Sequence, residues 1–294
     1  AADQHGNAVY LGERECSIQR RHQKVVEECP SPVVDAELRR RLGEAALAIV
    51  HGSGYRSVGT VEFLVDADGG FYFLEMNTRL QVEHPVTEEV YGVDLVREMI
   101  RLALGEKLSW RQEDLVPRGH AIECRIYAED PLMNFAPSPG RIDHLVRPSG
   151  PGVRVDSGVF QGSVVPLDYD PMVAKLVVSA ADRPAAVARL RRALQEYQVR
   201  GIATTLTLFR ALVEMDEFVN AEFHTGFLDE LLETQRLAEL HGRQDPAAEE
   251  AAVIAAACLA TLEAGAVDGD PYAHAEANHW WQEGVRQHHG RFPR

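Results

Sequence analysis

The stretch Val61-Glu62-Phe63-Leu64-Val65-Asp66-Ala67-Asp68-Gly69-Gly70-Phe71-Tyr72-Phe73-Leu74-Glu75-Met76-Asn77 reads as two strands, Val61 to Val65 and Phe71 to Leu74, around an Asp/Gly turn. A two-residue turn at Asp68-Gly69 places Glu62 directly opposite Glu75 on one face, with Cβ atoms roughly 5 Å apart. Two carboxylates so placed repel each other unless a cation sits between them. Asn77, two residues beyond Glu75, returns to that face and adds a neutral oxygen. Oxygen-only ligands on a hairpin suit Mg²⁺ or Mn²⁺, above all where phosphate oxygens complete the shell. On spacing alone, an acidic face that keeps an exposed sheet soluble is an equally good reading.

Downstream, Glu75-Met76-Asn77-Thr78-Arg79-Leu80-Gln81-Val82-Glu83-His84-Pro85 alternates with period two, so an extended chain projects Asn77, Arg79, Gln81 and Glu83 on one side. A guanidinium, an amide and a carboxylate on one face could hold a small oxyanion and offer it a base; the competing reading is an edge strand with solvent-facing polar groups. Upstream, Gln19-Arg20-Arg21-His22-Gln23-Lys24 is a second polar run, an anion contact or a solvated charge run. Val9-Tyr10-Leu11 is expected as a short strand. Helices are expected over about Val34 to Ile49, stopped by Gly52 and Gly54, and over about Thr87 to Leu104, stopped by Gly105. From His120 come short strand-like segments, Ala121 to Tyr127, Gly140 to His144 and Gly152 to Val155, then a helix at about Pro184 to Gln198. An acidic, Ala-rich helical stretch follows Phe227, and the tail carries Trp280 and Trp281.

Composition is that of a globular protein, with 45% hydrophobic and 26% charged residues in 294. With 45 acidic against 30 basic side chains, the formal charge of -15 argues against a nucleic-acid binder, which needs a basic face. No apolar run reaches the roughly 18 residues of a membrane span, and no leader-like segment opens the chain, so a cytoplasmic protein is expected. Cys16, Cys29, Cys124 and Cys258 form no C-x-x-C pair and read as reduced thiols.

Glu13 to Glu28 (ERECSIQRRHQKVVEE), the run ending FLEMNTRLQVEHPVTE, and Gly119 to Asp130 (GHAIECRIYAED) closely resemble the biotin carboxylase family. The likeness continues through Pro137-Ser138-Pro139-Gly140 and Asp168-Tyr169-Asp170-Pro171-Met172 to about Leu228. It implies an α+β chain: the C-terminal half of an ATP-grasp domain at 1–116, an antiparallel sheet with helices, then a biotin carboxylase C-terminal domain at 117–230 and a helical linker or tail at 231–294. The implied reaction is ATP-dependent carboxylation of biotin by bicarbonate through carboxyphosphate, as one component of an acyl-CoA carboxylase.

Carried over residue by residue, the resemblance makes Glu62, Glu75 and Asn77 the Mg²⁺ or Mn²⁺ ligands, the two glutamates bridging metal to ATP phosphates. It makes Lys24, Arg79, Gln81 and the Val82 backbone the bicarbonate cradle, and Glu83 the base that deprotonates bicarbonate. Arg125 would stabilise the enolate-like form of biotin. Gln19 and His22 would meet the ribose and Leu64 the adenine, whereas His84 and His120 are read as structural. Implied partners are a biotin carboxyl carrier, a carboxyltransferase, a second copy in a homodimer and an N-terminal half of biotin carboxylase. The family's glycine-rich lid and two ATP-contacting lysines have no counterpart, the only lysines being Lys24, Lys107 and Lys175. The sequence therefore reads as a C-terminal fragment, expected to bind ATP poorly alone. Two alternatives remain: a non-catalytic assembly or dimerisation module, and an ATP-grasp ligase with an amine acceptor.

Overall fold

Period-two alternation in His120–Tyr127 (β6) organises the molecule. The computed structural model describes residues 1–234, 236–237, 253–259 and 261. Ahead of β6, Gln19–Arg20 (β1) and Gln23–Lys24 (β2) form a minute hairpin whose turn residues, Arg21 and His22, have φ of 48° and 64°, and Val26–Cys29 (β3) follows. Helix Ala36–Ser53 (α1) begins where Asp35 accepts from the Leu38 N–H at 2.7 Å. Thr60–Val65 (β4) and Phe71–Asn77 (β5) then pair antiparallel.

One helix was expected over Thr87 to Leu104; two are found, His84–Tyr91 (α2) and Leu95–Ala103 (α3). Gly92 between them takes the left-handed conformation, φ 66°, which ends α2, and Asp94 caps α3 through the Arg97 N–H. Val9–Leu11 is no strand: single bridges join Ala2 to Ala8 and Ser57, and the Val9 N–H goes to the Ala1 carbonyl.

After β6 the chain makes Glu129–Asp130 (β7), Ala136–Pro137 (β8), Gly140–Arg141 (β9), His144–Val146 (β10), Val153–Ser157 (β11), Val164–Val165 (β12) and Met172–Ala180 (β13). Arg183–Glu196 (α4), Gln198–Arg200 (β14), Leu206–Leu212 (α5), Asp216–Val219 (α6) and Phe227–Glu233 (α7) complete it. The principal sheet is antiparallel, in the order β11-β13-β6-β3.

Residues Ile122, Cys124 and Ile126 of β6, with Val26, Leu176 and Val178, face the main apolar core, to which α4 and α5 contribute Leu190, Leu194 and Leu208. The alternate residues face α2: Ala121, Cys29 and Val177 pack with Val86 and Val90. On that second face the same alternation buries Glu27, Glu123 and Arg125. Burial on both sides explains why β6 is sealed from end to end.

The described residues up to Leu237 belong to one compact unit, and β3 joins its sheet from before Pro117. Beyond it, 253–259 are helical and exposed. The expected tail falls mostly outside the described residues, Trp280 and Trp281 entirely so.

Candidate functional site

The β4–β5 hairpin turns differently from expectation yet pairs the same two acids. Its loop is closed by Asp66 N–H to Gly70 O at 2.9 Å, and Gly69 N–H to Asp66 O at 3.1 Å forms the turn inside it. Gly69, at φ 77°, supplies the left-handed residue that a three-residue loop requires. Val65, Leu64 and Phe63 consequently pair with Phe71, Tyr72 and Phe73, one residue off the two-residue-turn register. A bulge between this segment and the next restores it, so Glu62 lies opposite Glu75. The extra residue is Leu74, and it matters. Phe71 and Phe73 turn towards Phe63, and uninterrupted alternation would have sent Glu75 after them.

Glu62 and Glu75 do converge. Asn77 Nδ2 donates to Glu62 Oε1 at 3.1 Å and to Glu75 Oε1 at 2.8 Å. Glu62 Oε1 also accepts from Gln81 Nε2 at 2.6 Å and Lys24 Nζ at 3.0 Å. Asn77, Gln81 and Lys24 thus share one carboxylate oxygen, a density of donors that marks a strongly anionic point. Among the described residues no three His, Cys, Asp or Glu side chains form a metal cluster. Two carboxylates and one amide fit a hard cation that takes further oxygens from a phosphate or water.

The expected extended run beyond Asn77 is not found. β5 stops at Asn77, the chain turns with His84 N–H on Gln81 O at 3.3 Å, and Glu83 precedes α2 with Pro85 in its first turn. Proline at that position favours helix entry, which ends the alternation. Gln81 and Glu83 are buried, whereas Arg79 is exposed and, among the described residues, donates only to the neighbouring Leu80 carbonyl at 3.2 Å. Arg79 is therefore not part of the contact network. The Val82 carbonyl accepts from Lys175 Nζ at 2.9 Å.

Glu83 is the centre of that network. Lys24 Nζ lies 2.7 Å from its Oε1, and Arg125 Nη2 lies 3.0 Å from its Oε2. Burial by itself pushes its carboxyl upward, but Arg14 and Lys24 more than offset this and hold it below the usual carboxylate range. Arg125 is pinned at the backbone, its N–H on Val25 O at 3.0 Å and its carbonyl accepting from Thr205 Oγ1 at 3.1 Å.

Gln19, His22, Lys24, Glu62, Leu64, Glu75, Gln81 and Glu83 all line one open cleft of about 1010 Å³. Val34, Leu38 and Leu42 of the α1 side give it an apolar wall. Gln19 and His22 sit at the small β1–β2 hairpin, and Leu64 is exposed on β4. His84 Nδ1 meets the Gln81 carbonyl at 2.8 Å, and His120 Nε2 meets Glu28 Oε2 at 2.6 Å inside the protein.

Three participants escape a reading of the sequence. Arg14 Nη2 donates to Gln81 Oε1 at 2.7 Å and Thr60 Oγ1 at 3.0 Å, and its Nη1 to Thr87 Oγ1 at 3.1 Å. Glu27 lies 2.5 Å from Arg125 Nη2, and Lys175 holds Val82. The available signal was acids inside an otherwise apolar strand, Val25-Val26-Glu27-Glu28-Cys29. It says that the acids are paired without saying to what.

Two family models match the chain: the carbamoyl-phosphate synthase L chain, ATP binding domain, over residues 1–111, and the biotin carboxylase C-terminal domain over residues 123–230. The chain is 51% identical over 240 residues to the chloroplastic biotin carboxylase of Arabidopsis thaliana, covering 80% of this chain and 45% of that one. It is 51% identical over 229 residues to biotin carboxylase 1 of Bacillus subtilis, covering 78% and 51%. Among solved structures, the biotin carboxylase domain of a thermophilic 2-oxoglutarate carboxylase bound to bicarbonate superposes with a TM-score of 0.77 at 45% identity, covering 78% and 52%. The dimer of that domain from Hydrogenobacter thermophilus, in complex with MgADP, ADP and bicarbonate, gives 0.77 at 45%, covering 78% and 51%. The chain spans about half the length of these relatives.

Proposed function

Because the chain belongs to the biotin carboxylase family, we propose that it contributes the base and the biotin-facing side of a site for ATP- and bicarbonate-dependent carboxylation of biotin. The observation that carries this reading is Glu83, buried yet kept ionised between Lys24 and Arg125. A carboxylate so held can accept the bicarbonate proton at neutral pH. Bound MgATP supplies the phosphoryl group that activates bicarbonate. Glu62, Glu75 and Asn77 would hold the metal, Mg²⁺ or Mn²⁺, and Gln19, His22 and Leu64 would meet the nucleotide.

Lys24 and Gln81 point donors into the space between Glu62 and Glu83, where a bicarbonate would be gripped by charge-assisted hydrogen bonds. The Val82 backbone belongs to the same cradle, and Arg79 reaches it by swinging in from solvent. Arg125 exchanges its Glu83 contact for the ureido oxygen of biotin, a developing oxyanion that a fixed guanidinium stabilises. The biotin arrives on a carboxyl carrier and leaves for a carboxyltransferase. We assign 1–116 to the ATP-grasp part, 117–230 to the C-terminal domain and 231–294 to a linker, in a cytoplasmic homodimer.

The test supplies the remaining half of the site from the N-terminal half of a related biotin carboxylase and follows bicarbonate-dependent ADP release with and without free biotin. Stimulation by biotin is expected. Bicarbonate-dependent turnover indifferent to biotin would move the acceptor to an amine, and association of the halves with no turnover would leave an assembly module.

A further inference from the structure

Glu27 of β3 and Glu123 of β6 are direct register partners on the sheet face covered by α2. Their Cβ atoms are therefore roughly 5 Å apart. Both side chains are sealed from water, 1% and 0% exposed, and among the described residues neither carboxyl makes a well-aligned hydrogen bond. Glu27 Oε1 approaches Arg125 Nη2 to 2.5 Å, a charge contact without hydrogen-bond alignment. The groups that face the pair are Arg125 and Tyr127 on β6, Lys175 on β13, Lys24 on β2 and Glu83 ahead of α2.

Two buried carboxylates side by side do not both ionise when one cation is in contact with only one of them. Arg125 is that cation, and it touches Glu27; Lys175 is engaged by Val82 and Asp156, and Lys24 by Glu62 and Glu83. Glu123 has no partner among the described residues. We propose that Glu27 and Glu123 form a carboxyl pair that retains one proton, and that Glu27, its ionised member, is the positioning residue holding Arg125 beside Glu83. Burial pushes the Glu27 carboxyl up to about 7 against the pull of Arg125, and pushes Glu123 well above the carboxylate range. The two titrate as a unit.

The device explains a geometric oddity. Arg125 uses a single nitrogen, Nη2, for both Glu27 and Glu83, while its buried Nε has no acceptor. An arginine shared in this way is stretched between an anchor and a base, so it is released towards the cleft when Glu83 lets go, without losing its mooring. The role of Arg125 towards biotin rests on the function proposed above. The proton pair does not, and its test leaves enzymatic turnover aside.

The full chain, labelled with ¹⁵N-arginine, is titrated from about pH 5 to about pH 9, bracketing the carboxyl, with the Arg125 guanidinium signal assigned through Arg125→Lys. The signal is expected to move with a midpoint near 7 in the wild type, to stay flat in Glu27→Gln, and to titrate again in Glu27→Asp. Infrared spectra at about pH 8, above that midpoint, are expected to show one buried protonated carboxyl, absent from Glu123→Gln. A flat wild-type Arg125 signal overturns the proposal. So does a wild type without the protonated band, a band that survives in Glu123→Gln, or a Glu27→Gln titration identical to wild type. Failure of biotin stimulation in the complemented enzyme would touch the functional reading alone.

Discussion

Glu83 stays ionised, as the base proposed above must, because of its neighbours. Burial works against its charge, and Arg14 and Lys24 reverse the outcome. Lys24→Met removes one of the two cations, so the acid limb of the pH–activity profile of the complemented enzyme should move up by about 1–2 pH units; an unmoved limb would show that another group titrates there. Glu83→Gln keeps the shape but cannot take a proton, and bicarbonate-dependent ADP release should fall by about 10²–10⁴. Glu75→Gln, measured by magnesium titration of the same activity, should raise the Mg²⁺ requirement. An unchanged titration removes Glu75 from the ligand set. Arg125→Ala should impair biotin carboxylation more than biotin-independent ATP turnover, and equal losses would place Arg125 with bicarbonate or the fold.

At the scale of elements, the β4–β5 hairpin shows how much of the site could be seen in the residues alone. The Glu62–Glu75 pairing followed from strand symmetry about Asp68-Gly69, although the actual loop is one residue longer and Leu74 absorbs the difference as a bulge. Neither event has a clear sequence signature, since the choice between turn types depends on where the phenylalanines find their core. Deleting Leu74 should remove the bulge yet leave Glu75 opposite Glu62, on the face away from Phe73, so the magnesium titration should still depend on Glu75. Gly69→Ala, in open space but at φ 77°, should cost about 1 kcal/mol by denaturant unfolding. The alternation from Asn77 to Glu83 was the opposite case. It was real as a pattern and wrong as geometry, because Pro85 recruits the chain into α2 and leaves Arg79 outside. Likewise Gly92 split the expected helix over Thr87 to Leu104, a break hidden by apolar residues that continue on both sides.

For the whole molecule, the mixed architecture was legible from the succession of helical and strand-like periods, and β6 as a strand-like segment over Ala121 to Tyr127, whereas the burial of its Glu123 and Arg125 face was not. The partnership of β3 with β6 was not, because pairing across so long a separation leaves no local trace. That partnership also sets the pH response. Glu27 and Glu123 have carboxyls raised above the ordinary 4.5, so the native state binds more protons than the unfolded chain above that value. Stability is therefore greatest below about 4.5 as far as this pair is concerned, and falls as pH climbs through about 7. Glu123→Gln should make the chain more stable at about pH 8 by on the order of 1–3 kcal/mol, read from denaturant midpoints, with little change at about pH 5.

The same strand pairing imposes a timetable on biosynthesis. Val26–Cys29 leaves the ribosome while its partner, His120–Tyr127, lies about ninety residues behind. At roughly 5–20 residues per second the wait is on the order of ten seconds. During it, a naked Val-Val-Glu-Glu-Cys segment must avoid other nascent chains. The two adjacent glutamates, ionised in water before they are ever buried, act as gatekeepers for that interval. The acids that burden the finished interior thus keep the unfinished chain apart from its neighbours.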